Sequence, residues 1–267
     1  MDKKDRILLF IPMYNCEKQI TRVLSQINDE ACKYITECII VNNRSTDGSE
    51  AAVIGFLTEH KIEIPVILHR NHSNYSLGGS HKVAFNYAIK YEFDYVIVLH
   101  GDDQGNIHDL LPMIADGSAK KFDSFLGSRF DSRSTLTNYS GFRIFGNHVF
   151  NEIFSMVAGR RLTDLGSGLN FYKTSYLKSK FYLPFQNDLS FNVYMLLYGV
   201  HIGSDFSYFP LTWREHDQVS NAKLIQQTGE LSGLIIKYLF NKNELFRPKE
   251  NEFSNMVYTS EVIFPGR

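Results

Sequence analysis

The chain has 267 residues, 43% hydrophobic and 21% charged, and its 28 basic and 29 acidic side chains leave a formal charge of −1. That length carries one large domain with a full core, or a domain and a small appendage; the composition excludes disorder, and no basic excess points to nucleic acid or an anionic membrane surface. Cys16, Cys32 and Cys38 are odd in number and lack a zinc spacing, so they read as buried small apolar residues in a reducing cytoplasm rather than a disulfide framework.

Met1-Asp2-Lys3-Lys4-Asp5-Arg6 passes directly into an apolar run. Residues 6–11 read as a strand covered on both faces, too short for a signal-peptide core. Residues 17–27 have helical spacing, with Ile20, Val23, Leu24 and Ile27 on one face. A second strand spans 37–41. Ser45-Thr46-Asp47-Gly48-Ser49 is a turn and cap before a helix at 50–59. A third strand follows at 65–68, then a helix at 80–91 with Val83, Ala84, Tyr87 and Ala88 on one face, then a fourth strand at 95–99. Strands separated by helices imply parallel pairing and right-handed crossovers. Such sheets bind ligands at the carboxyl ends of their strands. Polar residues stand there: Pro12-Met13-Tyr14-Asn15 after the first strand, Asn42-Asn43-Arg44-Ser45 after the second, His100-Gly101-Asp102-Asp103-Gln104 after the fourth.

The second half is less regular. Residues 125–127 end a strand, 131–140 form a polar loop, and 141–158 form an aromatic-rich helix. A short strand at 168–172, a helix at 191–198, an extended stretch at 208–213 and a long amphipathic helix at 223–240 follow. The polar tail, 241–267, packs as an arm. No apolar run approaches the roughly 18 residues of a membrane span, so the chain is expected to be soluble or at most peripheral. One domain, 1–220, divides into a first half (1–105) and a second half (106–220), with an extension at 221–267. On the 141–158 helix, Phe142, Phe145, Val149, Ile153 and Val157 form an apolar stripe, with Phe150 and Phe154 alongside. A core or dimer helix is its first explanation, a bilayer surface the second.

Asp102-Asp103 sets two carboxylates at a strand end, where they repel unless a cation neutralises them. A hard divalent ion holding a diphosphate does so; a plain polar turn is the other reading. Leu77-Gly78-Gly79-Ser80 precedes a helix and offers backbone N–H groups to an anion, with Lys82 adding charge. Neither a Walker loop nor a dinucleotide fingerprint is present.

As a set, Pro12-Met13-Tyr14-Asn15-Cys16-Glu17, Val41-Asn42-Asn43-Arg44-Ser45-Thr46-Asp47-Gly48-Ser49, and Asp102 with Gln104 resemble family 2 glycosyltransferases of the GT-A fold, over roughly the first 130 residues. Gly127-Ser128-Arg129-Phe130 and Asp164-Leu165-Gly166-Ser167-Gly168 further resemble the polyprenyl-phosphate sugar synthase branch. The resemblance implies a Rossmann-like, mainly parallel sheet flanked by helices. It also implies inverting transfer from a nucleotide-diphosphate sugar to a cell-envelope glycan or a polyprenyl phosphate, assisted by Mg or Mn. Pro12, Tyr14 and Glu17, with Asn15 among them, match the loop that embraces the nucleotide. Asn43 and Ser45 match the segment beside base and ribose. Asp102 matches the last acid of the D-x-D motif, and Gln104 a residue near the diphosphate. Arg129 and Arg143 resemble arginines that neutralise phosphates through a planar fork.

The chain departs from the family pattern twice. Asn42 and Asn43 stand where the family has Asp. An amide donates as well as accepts, which opens cytosine, guanine and thymine beside uracil. His100 replaces the first acid of D-x-D; a neutral imidazole there could bond a ribose or a metal-bound water. Metal binding is therefore expected through Asp102, with Asp103 or a distant His. Trp213-Arg214-Glu215-His216-Asp217-Gln218 is expected to close over the donor diphosphate, with His216 as a further ligand; a surface loop packed by Trp213 is the alternative. Asp188 is the expected general base for a hydroxyl acceptor, with Asp164 its rival and a helix cap the plain reading of Asp188. A lipid phosphate, with its second pKa at about 6, needs no base. Two other functions stay in view. A nucleotidyltransferase would need a Gly-rich loop after the first strand, which is missing. A non-catalytic relic is favoured by Asn42, Asn43 and His100. The expected partners are the nucleotide sugar and its acceptor, not nucleic acid, in the cytoplasm or at the inner face of the membrane, with self-association open.

Overall fold

Residues 7–13 carry no polar side chain, and β1 (Ile7–Met13) runs fully buried through the sheet. The computed structural model describes residues 4–217, 224–247 and 250–266, with 224–228 described by backbone alone. After β1 come α1 (Ile20–Leu24), α2 (Asp29–Cys32), β2 (Glu37–Asn42), α3 (Ser49–Glu59), β3 (Val66–Asn71), α4 (Ser76–Lys90) and β4 (Tyr95–Leu99). The rest of the chain adds α5 (Leu111–Ala115), β5 (Ser124–Ser128), β6 (Thr135–Thr137), α6 (Gly141–Ala158), β7 (Leu169–Lys173), α7 (Thr174–Leu177), α8 (Phe191–His201), β8 (Phe206–Pro210), β9 (Thr212–Arg214), α9 (Leu224–Leu245) and β10 (Ser260–Phe264).

The large sheet has the order β10-β3-β2-β1-β4-β7-β5-β8. Strands β3, β2, β1, β4, β5 and β8 run one way; β7 and β10 run against them. Along β1, Ile7, Leu9, Ile11 and Met13 join the core beneath α1, α3 and α5, while Leu8 and Phe10 join the core beneath α4 and α8. This is the alternation of a strand covered on both faces.

The sheet is mainly parallel and flanked by helices, as expected. Three details differ. The loop expected at 131–140 contains β6, which pairs in parallel with β9. The tail supplies β10, antiparallel on β3. The apolar stripe of α6 is split: Phe142 is 72% and Phe145 68% exposed, while Val157 packs against the core beside buried Phe154. The long C-terminal helix breaks at Asn241 (φ −152°, ψ 38°), next to its expected end at Phe240. Gln218 and Lys223 lie outside the described residues. Among the described residues no helix is long and apolar enough to cross a membrane. Cys16, Cys32 and Cys38 are all free.

Candidate functional site

Each of the first four strands is followed by a non-glycine residue in the left-handed region: Asn15 (φ 51°), Arg44 (φ 65°), Ser76 (φ 59°) and Asp103 (φ 60°). Such a conformation costs about 1–3 kcal/mol and persists only where neighbours hold it. Asn15 N–H donates to Ser45 Oγ (3.0 Å), and Asn15 Oδ1 accepts from Thr46 N–H (2.8 Å). Glu17 N–H donates to Asp47 Oδ2 (3.1 Å), and Glu17 Oε2 accepts from Gly48 N–H (3.1 Å). The loops after β1 and β2 are thus knitted together. Gly101 N–H donates to the carbonyl of buried Pro12 (3.1 Å), which brings the loop after β4 against them. A Cβ at Gly101 would sit 2.9 Å from that carbonyl oxygen, so only glycine fits. Tyr14, Asn15 and Glu17 stay exposed, and Ser45 half-buried.

Asn43 is elsewhere. Its Oδ1 accepts from Asn71 Nδ2 (3.0 Å) and Tyr75 N–H (2.8 Å), and its Nδ2 donates to Asn74 Oδ1 (2.8 Å). Asn42 donates to Glu50 Oε2 (2.8 Å) and accepts from Ser45 N–H (2.8 Å). Both amides are buried and spent on the fold, so the expectation that they read the base is corrected. An aspartate at either position would offer acceptors alone.

The two adjacent acids have separate fates. Asp103 is 1% exposed; its Oδ2 accepts from Arg22 Nε (2.7 Å), its Oδ1 pairs with Arg214, and its carbonyl accepts from Arg214 Nε (3.1 Å). Two arginines already neutralise it, which corrects its assignment as a metal ligand. Asp102 is half-buried, and its Oδ1 accepts from Gln104 N–H (3.3 Å). Burial, reinforced by Asp103 and Glu215, pushes its carboxyl up to about 6. Just before it, burial, with Arg129 adding to it, pushes the His100 imidazole down to about 4, so it is neutral near pH 7. His100 Nε2 is buried without a partner among the described residues.

The 212–217 segment is latched onto this loop. Arg214 N–H donates to Gln104 O (3.1 Å), and Gln104 Nε2 donates to Glu215 Oε1 (3.1 Å). The same Glu215 oxygen accepts from Arg143 NH1 (2.5 Å). Asp217 pairs with Arg22 (2.7 Å). Gln104, Arg143 and Arg214, expected on phosphates, are therefore engaged with Glu215 and Asp103, though each keeps a solvent-facing part. Trp213 is 4% exposed and packs against Arg129, its ring 5.3 Å from the guanidinium, so the segment is anchored there by its Trp. His216 is exposed, and among the described residues no three His, Cys, Asp or Glu side chains converge on a metal position. Asp102, Asp103 and His216 thus do not form the expected cluster.

Arg129 and Asp164 are brought together, but with each other. Arg129 Nε and NH2 donate to Asp164 Oδ2 (2.8 Å) and Oδ1 (2.7 Å), and Arg129 N–H donates to Oδ2 (2.9 Å). A buried charge needs a partner, and Asp164 has its partner in the half-buried Arg129, so both residues expected on phosphate and proton are engaged with each other. Asp188 Oδ1 accepts from Ser190 N–H (2.8 Å) and Oγ (2.5 Å), closing the first turn of α8. Lys82 meets no open anion site. It is 0% exposed, because α4 is buried all round from Gly78 to Phe85, and this corrects its assignment to the donor. Sequence reasoning missed Arg22 and gave Glu215 no role. Only a cation after the first loop and an acid beside Trp213 mark them.

Residues 9–181 match the family described as Glycosyl transferase family 2. The chain belongs to that family. An uncharacterized protein of Methanocaldococcus jannaschii is 27% identical over 166 residues, 62% of this chain and 64% of the relative, so the chain spans less than two thirds of that relative's length. Among solved structures, glucosyl-3-phosphoglycerate synthase from Mycobacterium tuberculosis, in complex with Mn2+, UDP and phosphoglyceric acid, superposes with a TM-score of 0.61 at 14% identity, covering 98% of this chain and 87% of that one. S. aureus TarS 1–349 in complex with UDP-GlcNAc gives 0.57 at 20% identity, covering 88% and 67%. At such identities the likeness is one of fold, and that fold is GT-A.

Proposed function

We propose that this family 2 chain is an inverting, metal-assisted hexosyltransferase moving a sugar from a nucleotide diphosphate to a cell-envelope glycan or a polyprenyl phosphate. Residues 1–105 hold the nucleotide, 106–220 the acceptor, and 221–267 form an extension. The observation that carries this reading is the meeting of the knitted loops after β1 and β2 with the Asp102 loop through Pro12 and Gly101. Tyr14, Glu17 and Ser45 grip the nucleotide, while Glu215 holds Gln104 and the acid loop in place.

The residues fit a divalent cation in one mode. The Asp102 carboxylate is disfavoured by burial and by its acidic neighbours, which a cation would relieve. Mg and Mn take one or two carboxylates and complete their shell with water and substrate phosphates, so a three-residue cage is not required. When bound, the ion supplies positive charge to the leaving diphosphate. The M. tuberculosis synthase was solved with Mn2+ and UDP, which supports the same pairing here.

In the transfer, the acceptor oxygen forms a bond to the anomeric carbon as the bond to the diphosphate breaks. With a hydroxyl acceptor, Asp188 takes the proton; its Oδ1 is held by Ser190, which leaves Oδ2 for the task. A phosphate acceptor needs no base. The outward Phe142, Phe145 and Val149, flanking Arg143, support peripheral contact with a lipid surface at the cytoplasmic face, with a second copy of the chain as the rival occupant. A non-catalytic reading draws on the neutral His100 at the position of the first acid.

A thermal-shift screen of UDP, GDP, CDP and dTDP, with and without Mn2+ or Mg2+, tests the reading. One nucleotide should raise the melting temperature only with metal, and Asp102→Ala should abolish the shift. No shift with any nucleotide leaves the non-catalytic reading.

A further inference from the structure

We infer that the C-terminal arm is a strap that positions Asp188, with Lys82 as its pin; this rests on the reading of Asp188 as the general base. Lys82 stands on α4 with its ammonium sealed from solvent. Its Nζ donates to Phe185 O (2.6 Å), Asn187 Oδ1 (2.7 Å) and the Tyr258 hydroxyl (3.0 Å). An ammonium has three N–H donors, and here each has an acceptor. Two acceptors come from the segment leading into Asp188; the third comes from the arm. A buried Lys82 is therefore satisfied only while the arm is docked.

Asn187, directly before Asp188, is held from three sides. Its Oδ1 accepts from Lys82 and from the Tyr258 hydroxyl (3.0 Å), and its carbonyl accepts from Gly78 N–H (2.6 Å). The arm is fixed independently at both ends. Asn251 Nδ2 donates to Pro184 O (2.8 Å), and β10 pairs along β3. One piece of chain thus joins the edge of the nucleotide half to the residue preceding the base. Burial pushes the Lys82 ammonium down to about 7, the charge of Asp188 acting against that shift, and the Phe191, Phe253 and Tyr258 rings lie 5.9, 5.2 and 4.9 Å from its nitrogen.

Tyr258→Phe tests this, because it keeps the ring packed on Tyr75 and removes only the hydroxyl. In the full chain, hydrogen exchange of amides 185–190 should quicken about tenfold while amides 12–17 and 42–49 are unmoved. Nucleotide release from UDP-glucose or GDP-mannose, whichever the wild type turns over, should lose about tenfold in kcat at constant donor KM. That loss should vanish in an Asp188→Asn background. Lys82→Met, which fills the same volume without the charge, should act in the same direction. Unchanged exchange at 185–190, a parallel rise in donor KM, or a loss that persists in Asp188→Asn each overturns the strap. An Asp188→Asn protein with undiminished kcat instead sinks the base reading, and the positioning role with it.

Discussion

Arg129 and Asp164 meet as a two-pronged pair in the second half of the chain, with contacts of 2.8 and 2.7 Å and almost no solvent around the carboxylate. Removing one partner strands the other. Asp164→Ala should cost about 3–5 kcal/mol of stability, read from urea midpoints, and adding Arg129→Met should recover part of it. An Asp164→Asn protein of wild-type stability that has lost all turnover would return Asp164 to catalysis.

Asp102 predicts a pH dependence of metal binding. Its carboxyl lies near 6 in the folded chain against an ordinary 3.8, raised first by burial. Between those values the folded state binds the extra proton, so without metal this group's contribution to stability falls as pH rises through the window. A cation needs the carboxylate, so Mn2+-dependent nucleotide binding should weaken as pH drops below about 6, approaching tenfold per unit. Titration calorimetry between pH 5 and 8 would show it. Asp102→Asn should abolish the Mn2+-dependent nucleotide binding and with it the slope; a wild-type profile in that variant would place the metal elsewhere.

Asn43 predicts a stability effect without a change in specificity. Asn43→Asp loses the bond donated to Asn74 and should destabilise the fold by about 1–2 kcal/mol. The order in which UDP, GDP, CDP and dTDP raise the melting temperature should not change. A reordered series would put Asn43 back beside the base.

The outward face of α6 predicts lipid binding. Phe142→Ser with Phe145→Ser should abolish co-sedimentation with phospholipid vesicles while leaving stability within about 0.5 kcal/mol, as surface substitutions generally do. Wild-type chain that ignores vesicles but runs as a dimer lost in the double variant would assign the face to self-association.

The first 105 residues were legible because their signals are local. An apolar run, a polar strand end and a helix cap recur in order, and the bounds of β4 agree with the sequence reading. Strand direction was not legible: nothing in residues 169–173 states that they pair antiparallel with β4 from some seventy positions away. Site residues divided the same way. Loop positions such as Tyr14 and Glu17 follow from strand ends. Lys82, Asp164 and Trp213 have chemically suggestive side chains whose partners come from distant segments, and those partners decide what they do. The residues around Lys82 on α4 are buried on every side, so no polar face existed to warn that the charge turns inward.

Strand β10 has one more consequence. It lies along β3, which would otherwise end the sheet with a row of unpaired N–H and C=O groups. Such an edge is a template for strand addition by another molecule. Removing residues 260–264 should therefore compromise solubility before it compromises the site, with light scattering rising in chain that still binds nucleotide.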